Sequence, residues 1–474
     1  MTVHWQMREK LVPSVLIAVF VPLVIGLAMW AGTLSILAVA GLVAAVVGLY
    51  VLLRHPLWLY WALALVMSTL PFGRIPGAHL PMYLPLSFAC LLAAVIHPRI
   101  KNPMSSVEKA VVVQYAVSAL SMVVMATGIT DLSLFIRWSM GTLTLFALLQ
   151  LPRENLKTFG GIFVYGATAN AIFGIYIFLF DPNQTSFRFL RVFGYIEKYT
   201  SGFLAYADGG QWSSVRLGGT WVEPNGAGFN LIVAAAMCVV LFTGRRRVVM
   251  ASILMSAMVL TLSRSSLLTT ATAVVILLTF HNLRARDRMI AIAAVVTAAG
   301  AILLAPPVRH RLLTSLASGD AGANDRRAAF LNFPHAMEGH WAFGVGWGVR
   351  EFWDPTVTYS LVSNAPLLST YRGGILCGLA FVGVLATGCV LAYRAIRTNN
   401  FAWTIYGSLF IGYTLIMAQL DHLACDSPQP VLTFAIFLAF LVDIDRQRKL
   451  KQAQLTDIAE FVPKQTRPPA PARS

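Results

Sequence analysis

The run VVMASILMSAMVLTLSRSSLLTTATAVVILLTF occupies residues 248–280, and Arg264 is its only charged residue. At 33 residues it is too long for one untilted crossing of a bilayer, which takes about 20. The polar interruption LTLSRSSL (260–267) predicts two helices meeting at Ser263–Ser266, with the serines bonding backbone groups freed at the break. That places Arg264 at a membrane boundary. An arginine there is costly if it sits deep without a counter-ion, so it marks a functional site with an anionic partner.

The same apolar character extends over the chain. Of 474 residues 57% are hydrophobic and 12% charged, against about 25% charged in soluble proteins. Runs long enough to span a bilayer recur from Leu11 to Val442. The expected fold is an all-α polytopic membrane protein with about fourteen (twelve to fourteen) transmembrane helices, beginning at 12–30 and ending with 289–305, 373–393, 402–420 and 429–443. Residues 1–445 form a single integral membrane domain. Residues 446–474 are a polar, Pro-rich cytoplasmic tail of disordered composition. The second apolar run follows the first without a small-residue cleavage site, as in a retained helix.

Basic residues fix the expected orientation. The formal charge is +16, from 36 Lys and Arg against 20 Asp and Glu. Arg8 and Lys10 precede the first run, and alternate exits carry Arg54, Arg99 and Lys101, Arg153 and Lys157, Arg245 to Arg247, Arg394 and Arg397, then Arg446 and Arg448. This is the positive-inside pattern, with both termini cytoplasmic, and it accounts for the charge without nucleic acid. The five cysteines are scattered with no CxxC, which points to neither a disulfide framework nor a zinc site.

Two segments, about 181–224 and 306–372, are too long for turns and fall on the external face. Both are rich in arginine where the bias disfavours it: Arg188, Arg191, Arg216, Arg309, Arg311, Arg326, Arg327, Arg350 and Arg372, against the single Lys198. The planar guanidinium fork suits phosphate oxygens, so these loops are expected to handle anions. Aromatic residues lie between the charges in FRFLRVFGYIEKY (187–199) and HWAFGVGWGVREFW (340–353). Such stretches lie along a bilayer surface or form platforms for sugar rings, and both readings stand.

The first loop ends in RLGGTWVEPNGAG (216–228), at the mouth of an apolar run. Asn225 is a good N-cap, Gly226 and Gly228 leave the first turn bare, and a helix N-terminus carries partial positive charge. Such a mouth is a phosphate seat, with Arg216 adding countercharge and Glu223 serving as a general base or an arginine partner.

In order, RLGGTWVEPNGAG (216–228), LTLSRSS (260–266), DRRAAFLNFPHAMEGHWAFGVGWG (325–348) and SNAPLLSTYRGG (363–374) resemble the O-antigen ligase and polysaccharide polymerase family of bacterial inner membranes, over roughly residues 160–395. The resemblance implies a metal-independent glycosyltransferase without a cofactor, working at the periplasmic face of the cytoplasmic membrane. Its donor is a glycan on undecaprenyl diphosphate, and its surroundings are the lipid bilayer. A chain-length regulator is compatible with it as a partner. Carried over residue by residue, Arg216 and Arg264 match arginines that hold the diphosphate, Arg327 the arginine that opens the amphipathic helix before the Gly344–Gly346 turn, and Asn364 the asparagine of a His-Asn pair. The expected site then has Arg216, Arg264, Arg327 and Asn225 at the diphosphate, with Asn364 and Arg372 positioning substrate. Ser363 stands where the family has a histidine, and Arg372 where it has an acid. His335, His340 and Glu223 are then the candidate catalytic residues. The missing histidine favours a polymerase of glycan repeat units over a ligase that moves finished glycan to a lipid or protein acceptor. A lipid-linked oligosaccharide flippase is the remaining alternative.

Overall fold

The computed structural model describes residues 34–77, 80–98, 103–181, 184–195, 204–205, 214–281, 321–348, 364–398, 400–420, 422–426 and 428–461, with isolated positions between 284 and 300. The expected first span, most of the one at 289–305, Arg8, Lys10, Arg99, Lys101, Lys198, Arg309, Arg311, Arg350, Ser363 and the tail beyond residue 461 lie outside the described residues, as does the side chain of Arg326.

Among the described residues the regular structure is helical apart from one two-residue pairing, Leu204–Ala205 (β1) with Ser214–Val215 (β2), and an isolated bridge between Arg74 and Pro81. The helices are α1 (Leu34–Arg54), α2 (Pro56–Thr69), α3 (Tyr83–Ile96), α4 (Ser106–Met125), α5 (Ile129–Leu149), α6 (Arg153–Phe180) and α7 (Pro224–Leu241). After them come α8 (Gly244–Leu260), α9 (Arg264–Phe280), α10 (Ala321–Ala336), α11 (Ala365–Ile396), α12 (Phe401–Leu420), α13 (Leu423–Asp426) and α14 (Pro428–Phe461). Seven of them, α4 to α7, α11, α12 and α14, are long and apolar enough to cross a membrane. The pair α1 and α2, bent by 115° at their junction, supplies an eighth if it counts as one span. A helix stands at each expected span within the described residues. Several are too short, however: α2 and α3 have 14 residues, α8 and α9 have 17. Among the described residues, length and composition therefore support seven or eight crossings of a multi-pass membrane protein.

The centre of the bundle is α7 and the first half of α14, which are buried on nearly every side. A helix apolar all round belongs in such a position. Small residues let neighbours close on it, as membrane helices require when no hydrophobic effect drives them together. Gly160 of α6, for example, faces the Phe440 ring of α14 and Leu241 of α7. Around this pair α9 packs on α12, α12 on α11, α11 on α4, α14 on α5, and α2 on α6.

Polar contacts divide the bundle into two ends. At one, Arg446 of α14 reaches the Leu149 carbonyl (3.1 Å) and the Glu108 carboxylate (3.2 Å), joining the end of α5 to the capping box that starts α4 at Ser105. His97 meets the Leu52 carbonyl there at 3.1 Å, and Arg153 bonds Gln447. These are the exits at which the sequence places its alternating basic residues. At the other end the two long segments dock. Arg74 donates its backbone N–H to Phe193, and Ser121 donates to the Phe343 carbonyl at 2.8 Å.

The second segment seats itself on a break in α11. Gly374, at φ 81° and ψ 177°, separates a short first helical stretch from the long span. This backbone region is open essentially to glycine alone. A Cβ at Gly374 would collide with the Ala342 carbonyl, and one at Gly344 (φ 77°) with the backbone of Arg372. The bare pair lets the Gly344–Gly346 turn lie against the break, held by Val345 N–H to Tyr371 O (2.7 Å) and Ile375 N–H to Trp341 O (2.8 Å). Gly374→Ala is expected to destabilise the purified protein by roughly 1–3 kcal/mol from backbone strain alone. Gly383→Ala, with open space around its Cβ position, should leave the thermal midpoint in detergent within about a degree or two. Equal midpoints for the two variants would sink this account of the break.

Candidate functional site

The break at 261–263 and the mouth at 216–228 come together. Ser263 caps α9, accepting from the Ser266 N–H at 3.4 Å, and Thr261 Oγ1 accepts from the Ser263 N–H at 3.2 Å. Arg264 is thus the first residue of α9, half-buried between buried Ser263 and Ser265. A cation at a helix N-terminus opposes the helix dipole, which favours an anion in that place.

The 216–221 segment lies across the end of α8. Leu217 N–H donates to Leu260 O (3.0 Å) and Arg216 Nε to Thr261 O (2.9 Å), while Arg216 Nη2 donates to Asn225 Oδ1 at 2.9 Å. Arg216 therefore satisfies carbonyl groups at a helix C-terminus, where a cation is favourable, and also orders the first turn of α7. Next, Gly219–Trp221 forms a 3₁₀ turn held by Thr220 N–H to Asn170 Oδ1 (3.1 Å) and by Thr220 Oγ1 to the Thr69 carbonyl. Trp221 is buried edge-on to Phe72, with ring centroids 6.1 Å apart.

Asn225 is not the N-cap. Proline has no N–H and a preset φ, so Pro224 takes the first helical position and the cap falls on Glu223. Glu223 is reached through a γ-turn of the left-handed kind: Val222 has φ 60° and ψ −51°, and the Glu223 N–H donates to Trp221 O. A β-branched residue there is strained by about 1–3 kcal/mol, a cost held in place by surrounding structure and concentrated at functional sites. Leu262, at φ 50°, is another non-glycine residue at positive φ, within the break itself.

The two helix starts touch. Gly228 in α7 lies directly against Ser266 in α9, so closely that a Cβ would overlap the hydroxyl. Two N-termini with Arg216 and Arg264 therefore converge at one end of the bundle, beside the carboxylate-bearing residue Glu223.

Asn364 and Arg372 belong to the neighbouring junction at this end. Asn364 caps α11, accepting from Leu367 N–H at 3.1 Å and donating to the Ala418 carbonyl of α12. α12 in turn stacks Tyr413 on Phe229 of α7, with centroids 4.1 Å apart. Arg372 is buried, donates to Cys425 O at 3.1 Å and lies 6.0 Å over the Trp347 ring. That geometry pins the second segment to the bundle. The Gly348 N–H donates to Asp131, adding a further tie.

Arg327 is exposed on α10. His335, also exposed, pairs with Glu338 at 3.3 Å, and His340 is exposed in the turn that follows. No hydrogen bond or ion pair among the described residues joins either histidine to Arg216, Glu223 or Arg264. Among the described residues no three His, Cys, Asp or Glu side chains gather as they would around a metal ion. Sequence reading missed Asn170 and Thr261. The sign available for Asn170 was a lone amide within an otherwise apolar span.

The first segment docks through Thr185–Phe193, a 3₁₀ stretch that buries Phe187 and Leu190 while Arg188, Phe189, Arg191 and Val192 face outward. Asp181 anchors it. Burial raises the carboxyl pKa, but hydrogen bonds from Ser186 and Thr185 outweigh that and bring it down to about 2. No protein-family model matches the chain, and no curated protein matches it.

Two outcomes are expected. Val222→Gly keeps the turn and removes its strain, so the thermal midpoint should rise by a few degrees, strain of about 1–3 kcal/mol exceeding the cost of an added glycine. A clear fall would mean that Val222 is held by packing and not by strain. For Asp181, a folded pKa below the ordinary 3.8 means its contribution is complete above that value and lost as pH falls toward about 2. Hydrogen exchange of residues 185–193 should therefore be flat from neutral pH to the low fours after correction for intrinsic rates, and Asp181→Asn should speed it at neutral pH.

Proposed function

We propose that the protein is a polysaccharide polymerase, joining glycan repeat units carried on undecaprenyl diphosphate at the periplasmic face of a bacterial inner membrane. The observation that supports this most is the meeting of the α7 and α9 N-termini with Arg216 and Arg264. Oriented amides and half-buried guanidinium groups suit a diphosphate.

In this reaction the acceptor sugar hydroxyl attacks the anomeric carbon of the donor. The bond from that carbon to the diphosphate oxygen breaks, and undecaprenyl diphosphate departs with the electron pair. Arg216, Arg264 and the helix amides stabilise the charge that builds on the leaving group. Glu223, one residue before α7 and aimed by the strained turn, takes the hydroxyl proton as general base. His335 and His340 are the weaker candidates because both are exposed. The two docked segments seat the sugars, Arg327 on the outer helix among them, while Asn364 and Arg372 fix the second segment in place. A ligase that delivers finished glycan would use the same seat. The sequence feature favouring polymerisation over ligation is Ser363 in the place of the ligase histidine.

The test is a profile of lipid-linked and surface glycans in cells carrying Arg264→Ala, Glu223→Gln, a deletion or the wild type. Loss of preorganised charge at a leaving group lowers turnover by roughly 100-fold or more. Arg264→Ala should therefore leave single repeat units on the lipid, exposed externally, with little polymer, and His335→Ala should resemble the wild type. Finished polymer stranded on the lipid would mean a ligase. Repeat units trapped on the cytoplasmic face would remove both enzymatic readings and leave the flippase.

A further inference from the structure

The opposite end of the bundle holds a cavity of about 530 Å³ that the arginine site does not use. It lies between α6, the C-terminal end of α7, the start of α12 and the charged stretch of α14. α7 has 18 residues, so its two ends, and the two sites, are roughly 27 Å apart.

Its lining changes character along one helix face. Arg153, Lys157, Gly161 and Tyr165 all line it, at four-residue spacing on α6. Residues so spaced share a face, so the wall passes from two cations to a bare glycine and an aromatic ring over about 18 Å. Gly161 borders open space: a Cβ built there meets nothing within 4 Å, whereas its neighbour Gly160 is packed against Phe440. Tyr165 is 51% exposed, so the cavity is a groove open on its apolar side.

Charge at the mouth is strongly positive. Lys451 joins Arg153 and Lys157, its ammonium 4.8 Å over the Trp403 ring. One carboxylate, Asp443, also lines the groove, but it accepts a hydrogen bond from the Gln447 amide, which also accepts from Arg153. The pair Lys157 and Glu154, at 2.9 Å, is largely exposed and of little strength. Three cations against one amide-bonded carboxylate leave a basic mouth over an apolar trough. A free phosphate would use the mouth alone. A diacyl lipid uses both parts, and basic pockets between transmembrane helices suit anionic headgroups.

We propose that this groove binds an anionic phospholipid, with its phosphate held by Arg153, Lys157 and Lys451 and one acyl chain lying along Gly161 and Tyr165. The site is independent of the polymerase reading and stands or falls without it.

Binding is measured by native mass spectrometry on the full-length protein in neutral detergent, titrated with phosphatidylglycerol, phosphatidylcholine or glycerol phosphate. Phosphatidylglycerol should bind in preference to both. Each cation removed should weaken it about fivefold, so Lys157→Gln and the pair Arg153→Gln, Lys451→Gln give graded losses. Gly161→Leu fills the trough and leaves every charge in place, and it should weaken the lipid too. Arg245→Gln with Arg246→Gln, exposed and off the groove, should bind as the wild type does. Equal binding of phosphatidylcholine would overturn the anionic assignment. Glycerol phosphate binding as tightly as the lipid, unaffected by Gly161→Leu, would make the site one for free phosphate and overturn the lipid. Unchanged affinity in both Lys157→Gln and Gly161→Leu, two mild variants expected to fold, would place the lipid elsewhere.

Discussion

When α8 stops at Leu260, its last carbonyl groups need donors in apolar surroundings, and the chain supplies them from Leu217 and Arg216. An unpaired backbone group in hydrocarbon costs several kcal/mol, so a helix break at membrane depth persists only where protein satisfies it. Much of the site follows from this. The segment that caps α8 must lie across the start of α7, which brings Arg216 to Asn225 and sets the tight turn at Val222. The serines that cap α9 must face α7, which only Gly228 permits. The convergence of two helix N-termini is thus the geometric result of closing one break.

The second segment obeys the same constraint at another place. Gly374 interrupts α11, and the turn at Gly344 supplies the partners for the exposed backbone on either side. Arg372 then lies buried between Trp347 and the Cys425 carbonyl. Its charge holds scaffold together, whereas Arg264 stands at a helix start where an anion is favoured. Two arginines of one loop-rich end therefore carry different loads, and burial distinguishes them.

Much of this was legible in the chain. The break at Ser263 could be read because one charge and a group of hydroxyls interrupt 33 otherwise apolar residues. The mouth of α7 could be read from proline and asparagine, although the cap fell on Glu223 because the missing N–H of Pro224 fits one position further along. Val222 gave no sign: β-branched residues avoid positive φ, so no propensity argument would place one in a γ-turn. Gly374 was hidden because a glycine near a helix end carries several meanings. Seven or eight of the expected crossings have helices of spanning length among the described residues, because apolar runs count the same whether the chain makes one long helix or two short ones. Arg153 and Lys157 were visible only as members of an orientation bias, and their continuation through Gly161 to Tyr165 needed the neighbouring helices to give it meaning.

The packing of α9 also has a consequence for how the protein is made. This helix finds its main partner in α12, which begins at Phe401 while α9 ends at Phe280. A ribosome adds about 5–20 residues each second, so roughly 6–24 s separate the emergence of the two. During that interval α9, with an arginine at its first position, has α7 and α8 beside it but not the helix that covers its long face. The nascent protein must either keep α9 close to the insertion machinery or let it rest at the membrane surface until α12 arrives. The order of synthesis thus leaves the helix that carries Arg264 among the last to settle.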